Sequence, residues 1–353
     1  MFTTLEASAR SAAGGDTGPA VSLSRTRVAD RTTAPQVSPA LPEMSADAMR
    51  AAELRAGLLK RSATIDPKFL YDTQGCVLFN AICELDEYYP TRTERAIFET
   101  YRSDIASHVP KAAQWIDLGC GDCGKSRTWL EHVDASRFIG VDIAAEWIEQ
   151  AVAAVGQRFP DIECLAQGAD FTRGFDMHAL LGDVESRPPL FFYPGSSIGN
   201  FAPDSAVTML ESVRNHLGSR GGLLVCVDLR KDPAIMKRAY ADGLGVTAAF
   251  NKNVLRVANK VLGSDFRTEN FSHQARFDEV RGCIEMRLVA NSKQFVRMGG
   301  EIRTFEEGEP IVTEHSYKYT PEQFVTVLQR AGFTRHKMWT DPQSWFGVFL
   351  ASA

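Results

Sequence analysis

A glycine-rich loop flanked by carboxylates is the part of this sequence best suited to chemistry. Residues 119–125 have the sequence GCGDCGK after a short apolar run, and Asp142 ends the next apolar run. In a strand–loop–helix unit, such glycines let the backbone approach a nucleotide, and the later acid accepts hydrogen bonds from the ribose hydroxyls. This pattern predicts a nucleotide site at the loop. The alternative interpretation is that the glycines only tighten a turn and that Asp142 caps a helix.

Charge separates two kinds of nucleotide ligand, a dinucleotide with a pyrophosphate and S-adenosylmethionine. Asp117 precedes the loop and Asp122 lies inside it. These carboxylates would repel a pyrophosphate, whereas they favour the ammonium and sulfonium groups of S-adenosylmethionine. Asp170 and Phe171 end the third apolar run, where they would hydrogen-bond and flank an adenine. The residues therefore favour S-adenosylmethionine, and an NAD-dependent enzyme or a catalytically silent cofactor-binding protein stays open as another class.

Five short apolar runs recur at regular intervals around this loop, and helical patterns lie between them. Runs of this length without polar alternation are typical of parallel strands that are buried on both faces. They occupy residues 115–118, 138–141, 162–165, 190–193 and 223–227. The sequence therefore predicts an α/β fold with a doubly wound, Rossmann-like sheet, and a final run at residues 345–350 is expected to close its edge.

The alternation of strands and helices is interrupted once, which indicates an insertion. Residues 230–317 have a helical pattern followed by alternating runs and are predicted to form an inserted α+β substrate-binding subdomain. Residues 46–229 are expected to hold the N-terminal helices and the cofactor-binding core, and residues 318–353 to complete that core. Residues 1–45 are rich in small and polar types without apolar periodicity, and we expect a flexible tail there.

The composition excludes several classes of protein. The chain has 353 residues, of which 44% are hydrophobic and 24% are charged, so it is long enough for two globular domains. The formal charge of −5 and the lack of a long basic run argue against a nucleic-acid partner. The apolar runs are shorter than the roughly 20 residues that a membrane-spanning helix needs, so we expect no membrane partner.

The cysteines bear on the compartment and on metals. Seven cysteines, an odd number in a chain this large, favour a reducing compartment, and we expect a cytoplasmic protein. Cys120 and Cys123 form a C-x-x-C pair, but no second pair or histidine set completes a zinc site, so no metal is expected. A monomer is the default expectation.

Five segments together resemble the histidine-specific N-α-methyltransferases of ergothioneine biosynthesis. They are Phe69–Asp72, Glu87–Glu94, Gly195–Asn200, Phe250–Leu255 and Thr313–Ser316. The resemblance implies an S-adenosylmethionine-dependent methyltransferase that converts L-histidine to Nα,Nα,Nα-trimethylhistidine (hercynine), the first step of ergothioneine biosynthesis. A relative that methylates another amino acid, such as tryptophan or a derivative, is the alternative.

The resemblance also implies roles for individual residues. The cofactor would contact Gly119, Lys125, Asp142, Asp170 and Phe171. The substrate would contact Tyr88, Asn200, Tyr240, Met286, Glu314 and Ser316, with Tyr71 near the same pocket. Simpler interpretations stay open, with Tyr88 as an interfacial aromatic residue, Tyr240 on a helix surface, Met286 as a core filler and Glu314 on a solvated edge strand.

Methylation of an α-amine needs groups that position the amine and groups that bind the carboxylate of the substrate. The attacking amine must be neutral, because an α-ammonium has no lone pair. Tyr71 and Tyr88 are the candidate catalytic residues, since their hydroxyls can accept hydrogen bonds from the amine and their rings can line the growing methylammonium. Asn200 and Tyr240 are expected to bind the substrate carboxylate.

The preference for histidine is expected to come from one strand. Alternation places Glu314 and Ser316 on one face of that strand and His315 on the other. A carboxylate can accept from one imidazole N–H while a hydroxyl serves the other ring nitrogen. Phenylalanine should be excluded, because its ring would leave both buried groups unpaired.

Overall fold

The computed structural model describes residues 45–143, 145–171 and 174–353, so all of the tail predicted at residues 1–45 except its last residue lies outside the described residues. In chain order the first half contains α1 (Ala46–Leu59), β1 (Ala63–Thr64), α2 (Thr73–Cys83), α3 (Tyr89–Ser107), β2 (Ala113–Leu118), α4 (Gly124–Leu130), β3 (Ala135–Asp142), α5 (Ala145–Arg158), β4 (Glu163–Gly168), α6 (His178–Leu181), β5 (Pro189–Tyr193), α7 (Pro203–Arg214) and β6 (Gly222–Asp228).

The second half contains α8 (Pro233–Ala239), α9 (Val246–Leu262), β7 (Phe271–Asp278), β8 (Cys283–Ala290), β9 (Gln294–Met298), β10 (Glu301–Phe305), β11 (Pro310–Tyr317), α10 (Pro321–Arg330), β12 (Arg335–Thr340) and β13 (Phe346–Ser352). Short 3-10 helices cover Pro67–Leu70, Ser197–Asn200 and Thr268–Asn270. In the part of the chain that is described, no helix is both long enough and apolar enough to cross a membrane.

The main sheet has seven strands in the order β12-β13-β6-β5-β2-β3-β4. Strands β2 to β6 run parallel to one another. Every residue of β2, β5 and β6 is buried, which explains why their sequences lack polar alternation. The predicted doubly wound α/β sheet is confirmed.

Both faces of this sheet are covered, and alternate residues of β2 enter two separate hydrophobic clusters. Ile116 belongs to a cluster with residues of α7 and α10. Trp115 belongs to another cluster with residues of α3, α4 and α5. Because the central strands are parallel, the loops that follow β2, β3, β4 and β5 meet at one edge, where ligands of such sheets bind.

The last apolar run is a strand, but its predicted place at the sheet edge is wrong. β13 pairs antiparallel with β6 on one side and with β12 on the other. The edge strand β12 begins with the polar residues Arg335, His336 and Lys337 and has one buried position. It was missed because a solvated edge strand has no apolar run to detect.

The insertion after β6 forms a second sheet in the order β1-β11-β8-β7. β1 belongs to residues 46–107, which precede β2 and are here called the N-terminal segment. It pairs in parallel with β11, with Ala63 opposite Ile311. One hydrophobic cluster joins Leu58 and Phe69 of the N-terminal segment to Phe250 of α9. The N-terminal segment therefore packs with the insertion, while the exact boundaries of a substrate-binding subdomain stay a prediction.

Candidate functional site

The glycine loop between β2 and α4 forms a cradle with room for a ligand. Gly119 and Gly121 have φ angles of +74° and +51°, in the left-handed region that favours glycine. A Cβ at Gly121 would meet no atom within 4 Å, and one at Gly119 would lie 3.8 Å from the Phe171 ring. The loop backbone is therefore open to a bound group, which fits the predicted nucleotide.

Asp142 lies at the end of β3, beside this loop. Gly121 N donates a hydrogen bond of 3.1 Å to Asp142 Oδ2. The carboxylate thus supports the loop and stands where the ribose of a nucleotide on this loop is expected. That it accepts hydrogen bonds from the ribose hydroxyls stays a prediction.

Asp117 in β2 is a buried carboxylate with an unsatisfied oxygen. Ser126 Oγ donates to Asp117 Oδ2 over 2.6 Å, whereas Oδ1 has no hydrogen-bond partner among the described residues. Burial raises the pKa of Asp117 to about 7, although the hydrogen bond from Ser126 opposes the shift. A cation brought to the loop would favour the ionised form. This free acceptor fits the ammonium of S-adenosylmethionine and disfavours a pyrophosphate.

Asp122 has a different environment from Asp117. It is exposed, and its Oδ1 accepts a hydrogen bond of 2.8 Å from Gly124 N. Capping of the turn that begins α4 is sufficient to explain this carboxylate. Of the two acids in the charge argument, Asp117 is therefore the one in a position to select a cation.

Asp170 and Phe171 follow β4 at the same sheet edge. The Phe171 ring packs edge-on against Tyr193, with ring centroids 5.8 Å apart. Lys68 Nζ lies 3.3 Å from Asp170 Oδ2 in an ion pair. Since Lys68 precedes Tyr71 by three residues, the predicted adenine site is linked to the segment that carries a predicted catalytic tyrosine.

Lys125 has a partner that the sequence did not indicate. Its Nζ lies 2.5 Å from Glu94 Oε2, and Glu94 Oε1 accepts a hydrogen bond of 2.6 Å from Gly195 N. Burial lowers the pKa of the Lys125 ammonium, but the charge of Glu94 outweighs this effect and raises it. Lys125 therefore ties α4 to α3 and to the loop after β5, and its contact with the cofactor stays a prediction.

A cavity of about 30 Å³, here called the aromatic cavity, lies between the N-terminal segment and the insertion. The rings of its wall meet edge to face, with centroids 5.4 Å apart for Tyr71 and Phe79, 5.5 Å for Tyr71 and Phe250, and 6.2 Å for Tyr88 and Tyr240. The rest of the lining is Ile82, Ala239, Thr247, Met286 and Glu314. Five predicted site residues thus share one cavity, and the interpretation of Tyr240 as a surface residue is wrong because it is buried.

Glu314 is the acidic group of the aromatic cavity. β11 pairs with β1 on one side and β8 on the other, and Glu314 is 7% exposed, so its interpretation as a solvated edge residue is wrong. Ser316 is buried on the same side, while His315 points to the opposite face and contacts Glu285 at 3.2 Å. Burial raises the pKa of Glu314 to about 7, with Lys318 acting in the opposite direction.

Glu314→Gln should stabilise the free protein in a pH-dependent way. Between its ordinary pKa of 4.5 and about 7, the folded state keeps a proton that the unfolded chain has lost, so stability falls as the pH rises. A shift of this size corresponds to about 3 kcal/mol above pH 7. We expect the melting temperature of Glu314→Gln to exceed that of wild type by several degrees near pH 8 and by little near pH 5.

The matched control for this measurement is Glu307→Gln, which alters an exposed glutamate of the same subdomain. Its melting temperature should follow that of wild type at both pH values. If Glu314→Gln were less stable than wild type at pH 8, the buried carboxylate would instead be stabilised by its surroundings.

The hydroxyl of Tyr240 makes hydrogen bonds with Ser316 in β11 and with Lys318, which directly follows that strand. Tyr240 Oη lies 2.9 Å from Ser316 Oγ, and Lys318 Nζ contacts both oxygens. Ser316 is therefore connected to the aromatic cavity through Tyr240. Lys318 was not predicted as a site residue. Glu314, Ser316 and Lys318 nevertheless alternate along the chain, and this alternation is the signal that places all three on one face.

Asn200 lines a second, larger cavity of about 350 Å³. Its 3-10 helix packs closely on β11, because a Cβ at Gly199 would approach Tyr317 O to 2.9 Å. Glu314 lines both cavities, whereas Asn200 lines only the second and Tyr240 only the aromatic cavity. The structure thus places Asn200 and Tyr240 on two cavities that share Glu314, the predicted ring-binding group.

The candidate catalytic tyrosines are neutral phenols at physiological pH. Burial raises the pKa of Tyr71 and of Tyr88 well above the usual value, and for Tyr71 the charge of Glu314 adds to this effect. Each hydroxyl can accept a hydrogen bond from an amine, whereas a phenolate base is disfavoured. The structure adds two residues that sequence reasoning missed, Phe79 and Phe250, of which only Phe250 falls in a resembling segment.

One cluster of possible metal ligands, Asp176, His178 and His216, lies away from the aromatic cavity. His216 Nε2 accepts a hydrogen bond of 3.0 Å from Met177 N, and its Nδ1 lies 2.7 Å from Ser212 O. His178 Nδ1 lies 2.8 Å from Asp176 Oδ1. Hydrogen bonding within the fold is sufficient to explain this cluster.

Comparison with known proteins identifies relatives over nearly the whole described chain. The profile of the family described as histidine-specific, S-adenosylmethionine-dependent methyltransferases matches residues 50–353. The histidine N-α-methyltransferase of Mycolicibacterium smegmatis is 38% identical over 88% of this chain and 96% of its own length. The corresponding values for the histidine N-α-methyltransferase of Mycobacterium tuberculosis are 35%, 85% and 94%. Ergothioneine biosynthesis protein 1 of Neurospora crassa is 30% identical over 77% of this chain and 31% of its own length.

Proposed function

Because this chain belongs to the histidine-specific, S-adenosylmethionine-dependent methyltransferase family, we propose that it methylates the α-amine of L-histidine to give trimethylhistidine (hercynine), the first step of ergothioneine biosynthesis. The observation that supports histidine as the substrate is the buried carboxylate of Glu314 in a cavity lined mostly by aromatic and aliphatic side chains, with buried Ser316 two residues along the same strand. An imidazole ring can satisfy these polar groups, whereas a phenyl ring cannot.

S-adenosylmethionine is the cofactor of the family, and it supplies an electrophilic methyl group on its sulfonium when bound. We assign it to the glycine loop. The open backbone at Gly121 would receive it, and the unsatisfied Oδ1 of Asp117 would accept from its ammonium. The remaining predicted contacts are Gly119, Lys125, Asp142, Asp170 and Phe171.

The substrate would lie in the aromatic cavity with its ring toward β11. Glu314 is placed to accept from one ring N–H, and the Ser316 hydroxyl serves the second ring nitrogen. Asn200 and Tyr240 are the proposed partners of the substrate carboxylate, and Met286 packs against the ring. The presence of Glu314 in the lining of both cavities supports this arrangement.

Catalysis in this arrangement depends on position and on the exclusion of water. Tyr71 Oη and Tyr88 Oη would accept hydrogen bonds from the amine and so orient its lone pair. Their raised pKa values keep both tyrosines in the protonated, phenol form. The tyrosines therefore orient the amine but do not take its proton, which passes to solvent. The ring faces of the cavity, including those of Phe79 and Phe250, can stabilise each methylammonium by about 0.5 to 2 kcal/mol.

Asp142→Ala should weaken cofactor binding. A carboxylate that accepts hydrogen bonds from ribose contributes about 1.5 to 3 kcal/mol, which corresponds to roughly 10- to 150-fold in affinity. Calorimetry with S-adenosylhomocysteine measures this directly. The matched control is Asp161→Ala, an exposed carboxylate before β4. Unchanged affinity in Asp142→Ala would remove this residue from the cofactor site.

The proposed function is tested by the product. Purified protein, S-adenosylmethionine and L-histidine should yield trimethylhistidine, seen by mass spectrometry as three added methyl groups, with fragmentation placing all of them on the α-nitrogen. Methylation of the ring, or no product, would contradict the proposal.

Three expectations from the sequence accompany the proposal. All seven cysteines are free, which supports a reducing, cytoplasmic setting. The packing of the N-terminal segment on the insertion supports a substrate-binding subdomain near residues 230–317. We also propose that the enzyme is a monomer, which is the default expectation. Tryptophan or a derivative stays the alternative substrate.

A further inference from the structure

Lys318 is a buried cation beside the residues proposed to bind the substrate carboxylate. It is 2% exposed and follows β11 directly. Its Nζ lies 2.7 Å from Asp228 Oδ2, 2.9 Å from Tyr240 Oη and 2.8 Å from Ser316 Oγ. An ammonium has three hydrogens and no lone pair, so these three contacts engage all of its donors.

Asp228 keeps this ammonium charged. The aspartate is fully buried and also lies 2.5 Å from Lys231 Nζ and 2.9 Å from Tyr89 Oη. Burial raises the pKa of Asp228, but the two lysines outweigh burial and hold it below its usual value. Burial lowers the pKa of Lys318, and Asp228 in turn raises it above its usual value.

The hydrogens around Tyr240 can be counted. Its oxygen and that of Ser316 each accept one hydrogen bond from Lys318. The contact of 2.9 Å between the two hydroxyls uses one of their two hydrogens. One hydroxyl hydrogen therefore remains for a bound ligand. The pair cannot donate to the substrate carboxylate and to the ring at the same time while this contact is kept.

We propose that Lys318 is a positioning residue. It orients the hydroxyls of Tyr240 and Ser316 so that the remaining hydrogen is on Tyr240 and is donated as a hydrogen bond to the substrate carboxylate. The inference rests on the proposed function. A phenol is a stronger donor than an aliphatic hydroxyl, and a carboxylate is the strongest acceptor on the substrate. The ammonium is also one hydroxyl away from the carboxylate, so its charge favours an anion there. Ser316 then donates to Tyr240 and keeps a lone pair for the second ring nitrogen, which donates when the imidazole is protonated beside the Glu314 carboxylate.

The competing explanation is that Lys318 only joins β11 to β6 through Asp228. Lys231 provides the matched control, because it pairs with the same carboxylate but no contact with Tyr240 or Ser316 is found for it in the described chain. Lys318→Met and Lys231→Met each leave Asp228 with one lysine. A purely structural role predicts similar effects of the two substitutions.

The experiment compares kcat/KM for L-histidine with that for L-histidinamide, which has the same shape but a neutral amide in place of the carboxylate. In Lys318→Met the ratio of the two values should fall about tenfold, because a charged hydrogen bond and the nearby cation are lost for the anion alone. Lys231→Met should leave the ratio unchanged. In a Tyr240→Phe background, Lys318→Met should lower the ratio much less than in wild type, since the hydroxyl through which it acts is already gone and only the effect of its charge remains.

Each other outcome overturns the inference. An unchanged ratio in Lys318→Met, an equal fall in Lys231→Met, or independent effects of Lys318→Met and Tyr240→Phe would show that Lys318 does not act through Tyr240. If Lys318→Met does not fold, Asp228→Asn/Lys318→Met removes the buried pair together and is measured in its place. An absence of histidine turnover by wild type overturns the proposed function itself, whereas turnover with an unchanged ratio overturns only this inference.

Discussion

Histamine is expected to be methylated on the order of 100- to 10,000-fold less efficiently than histidine, as judged by kcat/KM. It keeps the ring and the amine but lacks the carboxylate. Asn200 and Tyr240 would then lose their acceptor, and Tyr240 Oη, which contacts the Lys318 ammonium, would have no substrate anion to bind. Donors that stay buried and unpaired are unfavourable, so the loss exceeds that of the contacts alone.

The release of S-adenosylhomocysteine measures this difference for both amines under identical conditions. Asn200→Ala is the informative variant, because it should lower the value for histidine and leave that for histamine nearly unchanged. Comparable turnover of the two amines by wild type would rule out a carboxylate site at Asn200 and Tyr240.

Glu314→Ala is expected to reduce the preference for histidine over tryptophan by at least about tenfold. A charged hydrogen bond to the imidazole contributes about 1.5 to 3 kcal/mol, which is lost for histidine. In wild type an apolar ring would leave the buried carboxylate without a partner, and that penalty disappears in the variant. The two effects act in the same direction on the ratio of kcat/KM values.

His315→Ala is the matched control for Glu314→Ala. His315 is adjacent in sequence but lies on the opposite face of β11, in contact with Glu285. Its removal should leave the ratio of histidine to tryptophan at the wild-type value. If Glu314→Ala gave the wild-type ratio as well, Glu314 would have no part in substrate choice, and the family relationship alone would support histidine.

The strands of the central sheet could be predicted because their burial is visible in short stretches of the local sequence. Strands buried on both faces need uninterrupted apolar runs, and the runs around Trp115 and Leu223 lie in β2 and β6. β12 could not be predicted in this way, since Arg335 and His336 are solvated at the sheet edge. Its existence depends on pairing with β13, a contact that the local sequence does not encode.

The candidate site was predictable to the extent that alternation or spacing marks it. Alternation placed Glu314 and Ser316 on one buried face, and the same rule extended by two residues reaches Lys318. The ion pair of Lys125 with Glu94 and the pairing of Asp228 with Lys318 join residues distant in the chain. Such partners follow only from the packing of one segment on another.

Competition among amino acids tests the central claim, that this enzyme is specific for the α-amine of histidine, most directly. The protein is incubated with S-adenosylmethionine and an equimolar mixture of the common amino acids, and every methylated species is quantified by mass spectrometry. We predict that histidine is consumed, that trimethylhistidine accumulates, and that tryptophan, phenylalanine and the others remain unmodified. Methylation of tryptophan or another amino acid in preference to histidine would contradict the claim.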